Sequence, residues 1–328
     1  MNIIFRTLTI LLLILSLSSP CPGKESQQRK LRKEGIRAYE VPIQNQSVEW
    51  LTGNFKDNYA KEYYPVNISL MMRNIIWQQR QLIKNKDAAP FKGNLRTFWY
   101  TYIKIPLARL GIQKEDHYKL MIGQFVHLVK EEDLMRYKDL GFSDVNKFSK
   151  KIGDNHHIIL AAEKQGHLPF LLKMHNKYNI TVIALGGQPS LLSAEYFVDD
   201  LKKRGIDIRQ KFYLLTIIDY DPSGLIIRNA FIDDLRFYGI KHLEVTDLIW
   251  PNLLAPDILK MRIYPVPDPD NMKTKNQRWL DETGGIEGEL YGLESEAIER
   301  DMLETLIESK IKPLIKKPRK KQKVLQKR

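Results

Sequence analysis

Asp219 and Asp221 lie two residues apart in the stretch LLTIIDYDPSG that spans positions 214–224. Paired carboxylates are hard oxygen donors of the kind Mg²⁺ takes. Leu214 to Ile218 are apolar or β-branched, the composition of a buried parallel strand. Both aspartates should therefore leave the carboxyl end of a strand, where open α/β sheets keep their sites. Pro222 pre-sets a first helical turn, and Gly224 permits close backbone approach. An acidic turn that only caps a helix would read the same way, so the pair alone leaves both open.

A second constellation is Arg96 with Tyr100. Asn94 can cap a helix over Leu95 to Ile105, which Pro106 should end or kink. Leu95, Phe98, Trp99, Tyr102 and Ile103 form its apolar face. Arg96 and Tyr100 are i, i+4 neighbours off that face, where a tyrosine is available as a nucleophile. The plainer alternative is a surface tyrosine stacked on an arginine.

The elements around the aspartates alternate. Strands are expected at His156–Ala161, Ile180–Leu185, Phe212–Ile218 and Lys241–Val245. Helices are expected at Gly166–Asn176, Leu191–Lys203 and Pro222–Phe237. This is an α/β pattern with a parallel sheet and right-handed crossovers. The first strand runs into Glu163, which should leave the same sheet edge as Asp219 and Asp221. Three carboxylates on one edge favour a metal site over a bare capping turn. Upstream, short amphipathic helices at Val66–Asn85, Leu95–Ile105 and His117–Lys130 fit a winged-helix or helix-turn-helix module, or any small helical domain. Pro251 to Gln277, rich in proline, reads as an extended connection, and a helical run follows to Ile311.

Length and charge bound the rest. The 328 residues suffice for two domains, and 43% hydrophobic content suits a globular core. Of the formal net charge of +13, ten positive charges lie in residues 310–328, leaving about +3 elsewhere. Such a tail is either a clamp on a phosphate backbone or a solvated terminus. One cysteine, Cys21, rules out a disulfide framework or a cysteine-based zinc site. The seven histidines show no ligand spacing, and no Walker loop or Gly-x-Ser-x-Gly is present. Arg6, the apolar run Leu8–Leu17 and the following SSPCPG have the shape of a secretory signal, too short to span a bilayer comfortably. Asn45, Asn67 and Asn179 each begin an Asn-x-Ser/Thr triplet, a pattern common by chance.

In this order the features resemble the Toprim architecture of the topoisomerase VI A-subunit family, which includes the meiotic double-strand-break transesterase. Bacterial Toprim proteins related to that subunit look closer still. Residues 96–100, RTFWY, match the family's Arg-x-x-aromatic-Tyr; Glu163 and Asp-x-Asp-Pro-x-Gly at 219–224 match its acidic positions. The resemblance covers roughly 66–310. Composition sets apart a signal-like segment 1–23 and a polar arm or linker 24–65, and the resemblance implies a winged-helix-like DNA-binding module 66–150. A Toprim domain 151–262, an extension 263–309 packing on it and a basic tail 310–328 complete the division.

The resemblance further implies Mg²⁺ held by Glu163, Asp219 and Asp221. Tyr100, assisted by Arg96, would attack double-stranded DNA and form a covalent phosphotyrosine. It implies a homodimer in which one subunit's tyrosine meets the other's metal site. No ATPase motif is present, so strand passage would need a separate ATP-using subunit. Ser190 stands where the topoisomerases carry an acid in Gly-Tyr-Pro-Asp. The alternatives are a Toprim nuclease that uses water and a non-catalytic DNA-binding relative. A DNA-directed protein is expected in the cytoplasm on DNA and not at a membrane, which treats 1–23 as a misassigned start or an extension. Taken at face value, the same segment implies a secreted or tethered protein.

Overall fold

The computed structural model describes residues 22–57, 66–142, 148–187 and 190–315. It divides into two compact units, Met1–Ser143 and Asp144–Arg328. Residues 1–21 of the signal-like segment, Gln188 and Pro189, and residues 316–328 of the tail lie outside the described residues. Among the described residues no helix is long and apolar enough to cross a membrane.

The first unit is helical. Its helices are α1 (Pro22–Lys33), α2 (Val48–Asn54), α3 (Ile68–Asn85), α4 (Leu95–Phe98), α5 (Lys104–Arg109) and α6 (His117–Val126). The segment read as a polar arm, 24–65, is partly helical and carries core residues: Ile36, Ile43, Leu51 and Phe55 are buried. Its apolar residues are too sparse to show a period. Side-chain amides of α3 hold its backbone instead. The Arg37 N–H donates to Asn74 Oδ1 at 3.0 Å, and the Ile43 N–H to Gln78 Oε1 at 2.9 Å. Buried amides used this way satisfy a backbone that has no ladder of its own.

Asn94 caps α4, its side chain accepting from the Thr97 N–H at 2.9 Å. Of the two outcomes expected at Pro106, an end or a kink, the helix does not end there. A π-helical segment, Trp99–Ile103, joins α4 to α5, and Pro106 lies inside α5. The Lys104 N–H reaches back five residues to the Trp99 carbonyl. Proline has no N–H to give the Tyr102 carbonyl, and its ring would crowd that oxygen in a regular turn. The wide turn just before it accommodates both defects. Phe98 anchors the helix in an aromatic cluster with Phe91, Tyr102, Phe125 and Phe142, all with ring centroids within 5.6 Å of its own.

The second unit is α/β. Its elements are β1 (Ser149–Lys151), β2 (Asn155–Ala162), α7 (Leu168–Tyr178), β3 (Ile180–Ala184), α8 (Leu191–Lys203), β4 (Phe212–Ile217), α9 (Pro222–Phe237) and β5 (Leu243–Asp247). There follow α10 (Pro256–Arg262), β6 (Ile263–Pro265), α11 (Lys273–Thr283), β7 (Tyr291–Leu293) and α12 (Arg300–Ile311). Five strands form one sheet in the order β1-β3-β2-β4-β5, parallel except for β1 at its edge. Alternate residues of β2 and β4 feed two cores. Ile158, Leu160, Leu215 and Ile217 pack with α7, α11 and α12; Ile159, Ala161 and Leu214 pack with α8 and α9. Burial on both faces is why these strands read as continuous apolar runs.

The stretch 251–277, read as extended, instead contains α10, β6 and the start of α11, and β6 pairs antiparallel with β7. The tail read from Lys310 begins later: Ile311 is buried, and Leu314 and Ile315 pack against the same core.

Candidate functional site

The parallel register brings the carboxyl ends of β2 and β4 level, with Ala162 opposite Ile217. The Glu163 N–H extends the pairing to the Ile217 carbonyl at 3.0 Å. Glu163 Oε2 then accepts from the Asp219 N–H at 3.3 Å. Tyr220, between the aspartates, turns into the core, with its hydroxyl 2.8 Å from the Gly285 carbonyl. Its backbone pairs with Leu293, the last residue of β7. Asp221 caps α9, its Oδ1 accepting from the Gly224 N–H at 2.6 Å. A Cβ on Gly224 would lie 2.0 Å from the Asp219 carbonyl oxygen, so only glycine fits there.

Glu163, Asp219 and Asp221 therefore occupy one edge of one unit, and their charges are coupled. Burial first, then the Asp219 and Asp221 charges, push Glu163 up to about 7. Lys164 answers part of this charge, with Nζ 3.0 Å from Asp219 Oδ2, 3.8 Å from Glu294 and 3.6 Å from Glu296. Burial works against that ammonium, but the bond to Asp219 and the surrounding acids outweigh it and raise its pKa. Tyr264 of β6 donates to Asp221 Oδ2 at 2.9 Å. Burial, then the Asp221 charge, raise the Tyr264 phenol, so it stays a neutral donor. Ser295 donates its N–H to Asp219 Oδ1 at 2.7 Å. Each aspartate thus accepts one bond from the chain beyond residue 262.

As donors the three carboxylates fit a hard divalent cation. Among the described residues, the one group of three potential ligands with donor atoms within 4.8 Å of one another is Glu34, His127 and Glu132. Glu163, Asp219 and Asp221 are spaced more widely, so a single ion would need side-chain rotation or bound water to meet all three, and Mg²⁺ ordinarily keeps several waters. In the other group Glu34 is engaged by Arg73 at 3.1 Å and His127 at 3.2 Å, which makes it an ion-pair cluster.

No family model and no curated protein matches this chain. The motifs quoted above therefore carry the resemblance by themselves.

Arg96 and Tyr100 belong to the first unit. Tyr100 is 44% exposed while Phe98 and Ile103 are fully buried, the division the helical face predicts. Arg96 Nη2 lies 3.5 Å from the Tyr100 hydroxyl, and its guanidinium stands 5.9 Å from the ring centres of both Tyr100 and Tyr118. Lys104 Nζ is 4.8 Å from the Tyr100 ring. These residues line a groove of about 460 Å³ with Trp99 and Lys119. Tyr102 is half-buried against Phe91 and Phe98. Ser190 caps α8, its Oγ accepting from the Ser193 N–H at 3.2 Å.

Sequence reasoning did not single out Lys164, Tyr264, Ser295 or His167. Lys164 adjoins Glu163 and its neighbourhood was available as a signal. The other three reach the site only through tertiary contacts.

Proposed function

We propose that this chain is a Mg²⁺-dependent DNA-cleaving protein of the topoisomerase VI A-subunit type. In this reading the second unit is a Toprim domain and the first a winged-helix-like DNA-binding module. The observation that carries the reading is the gathering of Glu163, Asp219 and Asp221 at the carboxyl edge of a parallel sheet; burial first, and then the two aspartate charges, raise Glu163 there. Glu163, Asp219 and Asp221 would hold the ion, which supplies charge neutralisation at the phosphate and leaving oxygen. Tyr100 acts as nucleophile: its oxygen bonds to phosphorus, the bond from phosphorus to the sugar oxygen breaks, and the proton lost by the phenol is balanced by the one the departing sugar oxygen takes up. Arg96 supplies positive charge beside that oxygen and Lys104 over the ring, and Arg96 offers a fork that matches phosphate. Pairing of two chains would bring the tyrosine of one to the acids of the other.

A nuclease in which water replaces Tyr100 has support of its own, because the acids and all their partners come from one unit. Denaturing the reaction decides between the two. Wild type should leave protein covalently attached to a DNA end in Mg²⁺, Tyr100→Phe should lose that product, and Tyr102→Phe should retain it. Protein-free ends made equally well by wild type and Tyr100→Phe would move the chain to the nuclease class.

A further inference from the structure

His167 is fully buried just before α7. Arg300, which opens α12, places Nη1 2.6 Å from His167 Nδ1. A guanidinium only donates, so Nδ1 accepts and the ring proton sits on Nε2. Nε2 lies 3.1 Å from the hydroxyl of Ser295, which therefore accepts. Ser295 is itself fully buried, and its N–H is the donor to Asp219 Oδ1. Arg300 is steadied over the Phe170 ring at 5.4 Å. Burial, with the Arg300 charge next, holds His167 down at about 4, so the imidazole is neutral.

We infer that Arg300, His167 and Ser295 form a positioning relay that fixes the orientation of Asp219. The inference rests on the metal-dependent reading above. With Oδ1 locked by Ser295, Oδ2 is the oxygen held toward Lys164, where an ammonium can be exchanged for a divalent cation. The outer partners of a ligand commonly govern its affinity in this way. No member of the relay touches the ion or the substrate.

Mn²⁺ affinity of the full chain, read by paramagnetic resonance and calorimetry, tests it. His167→Leu should bind Mn²⁺ about tenfold more weakly, the usual cost of losing an outer-shell partner. His167→Gln keeps an N–H that can reach Ser295 and should recover most of that loss. Should His167→Leu fail to fold, Ser295→Ala keeps the backbone donor but removes the acceptor of the imidazole, and should show a several-fold loss. Nitrogen resonance of the imidazole should report Nε2–H in wild type and mixed tautomers in Arg300→Gln. Unchanged Mn²⁺ affinity in a folded His167→Leu or Ser295→Ala variant, beside a loss in Asp219→Ala, overturns the relay and leaves the metal reading standing. An Nδ1–H tautomer in wild type also overturns the relay. Wild type that binds no Mn²⁺ overturns the metal reading, and the relay's role with it.

Discussion

Glu163 couples proton release to folding. An unfolded glutamate releases its proton near 4.5, whereas burial and then the Asp219 and Asp221 charges hold the folded one near 7. Between those values the folded chain binds the extra proton, so raising the pH favours unfolding. Without metal, the melting temperature should fall from pH of about 4.5 to about 7 and level off above. Calorimetry in chelator should show that slope in wild type and a flatter one in Glu163→Gln. Asp221 separates two roles. Asp221→Ala loses the α9 cap, worth about 1 kcal/mol, as well as a carboxylate. Asp221→Asn keeps a capping oxygen, loses the charge and puts an amide donor where Oδ2 accepted from Tyr264, whose hydroxyl can turn to accept instead. It should melt closer to wild type than Asp221→Ala while binding Mn²⁺ more weakly. A thermal melt and a Mn²⁺ titration on both variants check this.

At the scale of elements, the turn after β4 is the tightest constraint. Gly224→Ala would set a methyl against the Asp219 carbonyl. It should cost about 2 kcal/mol or more, since backbone must move, and should weaken Mn²⁺ binding along with stability. Denaturant melts and the same titration read both. This turn was legible in the sequence because strand, aspartates, proline and glycine each obey a local rule. So were α8 and α9, whose ends, Leu191–Lys203 and Pro222–Phe237, are those the apolar pattern predicts. The rest was not. In α11 the pattern is lost because only Asn276 and Trp279 are buried in a polar helix. In β6 and β7 three residues pair with three across an intervening helix, and one carries a proline. The strand β1 is a charged, three-residue antiparallel edge. The run through Pro106 depends on a π turn, which leaves no compositional mark.

For the whole molecule, charge is concentrated at one end. Because Leu314 and Ile315 pack on the core, a truncation that tests the tail should begin at 316. Removing 316–328 takes away eight Lys and Arg residues. Non-specific DNA affinity should fall and the slope of log K against log salt should become shallower, with melting unchanged. An unaltered slope would mean that these residues make no phosphate contacts.

The antiparallel bridge between Tyr220 and Leu293, with Ser295 on Asp219 and Tyr264 on Asp221, has a bearing on biosynthesis. A ribosome delivers Glu163 and both aspartates well before it delivers the residues that orient them, and domains begin to fold as they emerge. The nascent chain can thus close its sheet while the acidic edge is still unsupported. If the chain cleaves DNA as proposed, completion of its acidic edge would be among the last events of its synthesis.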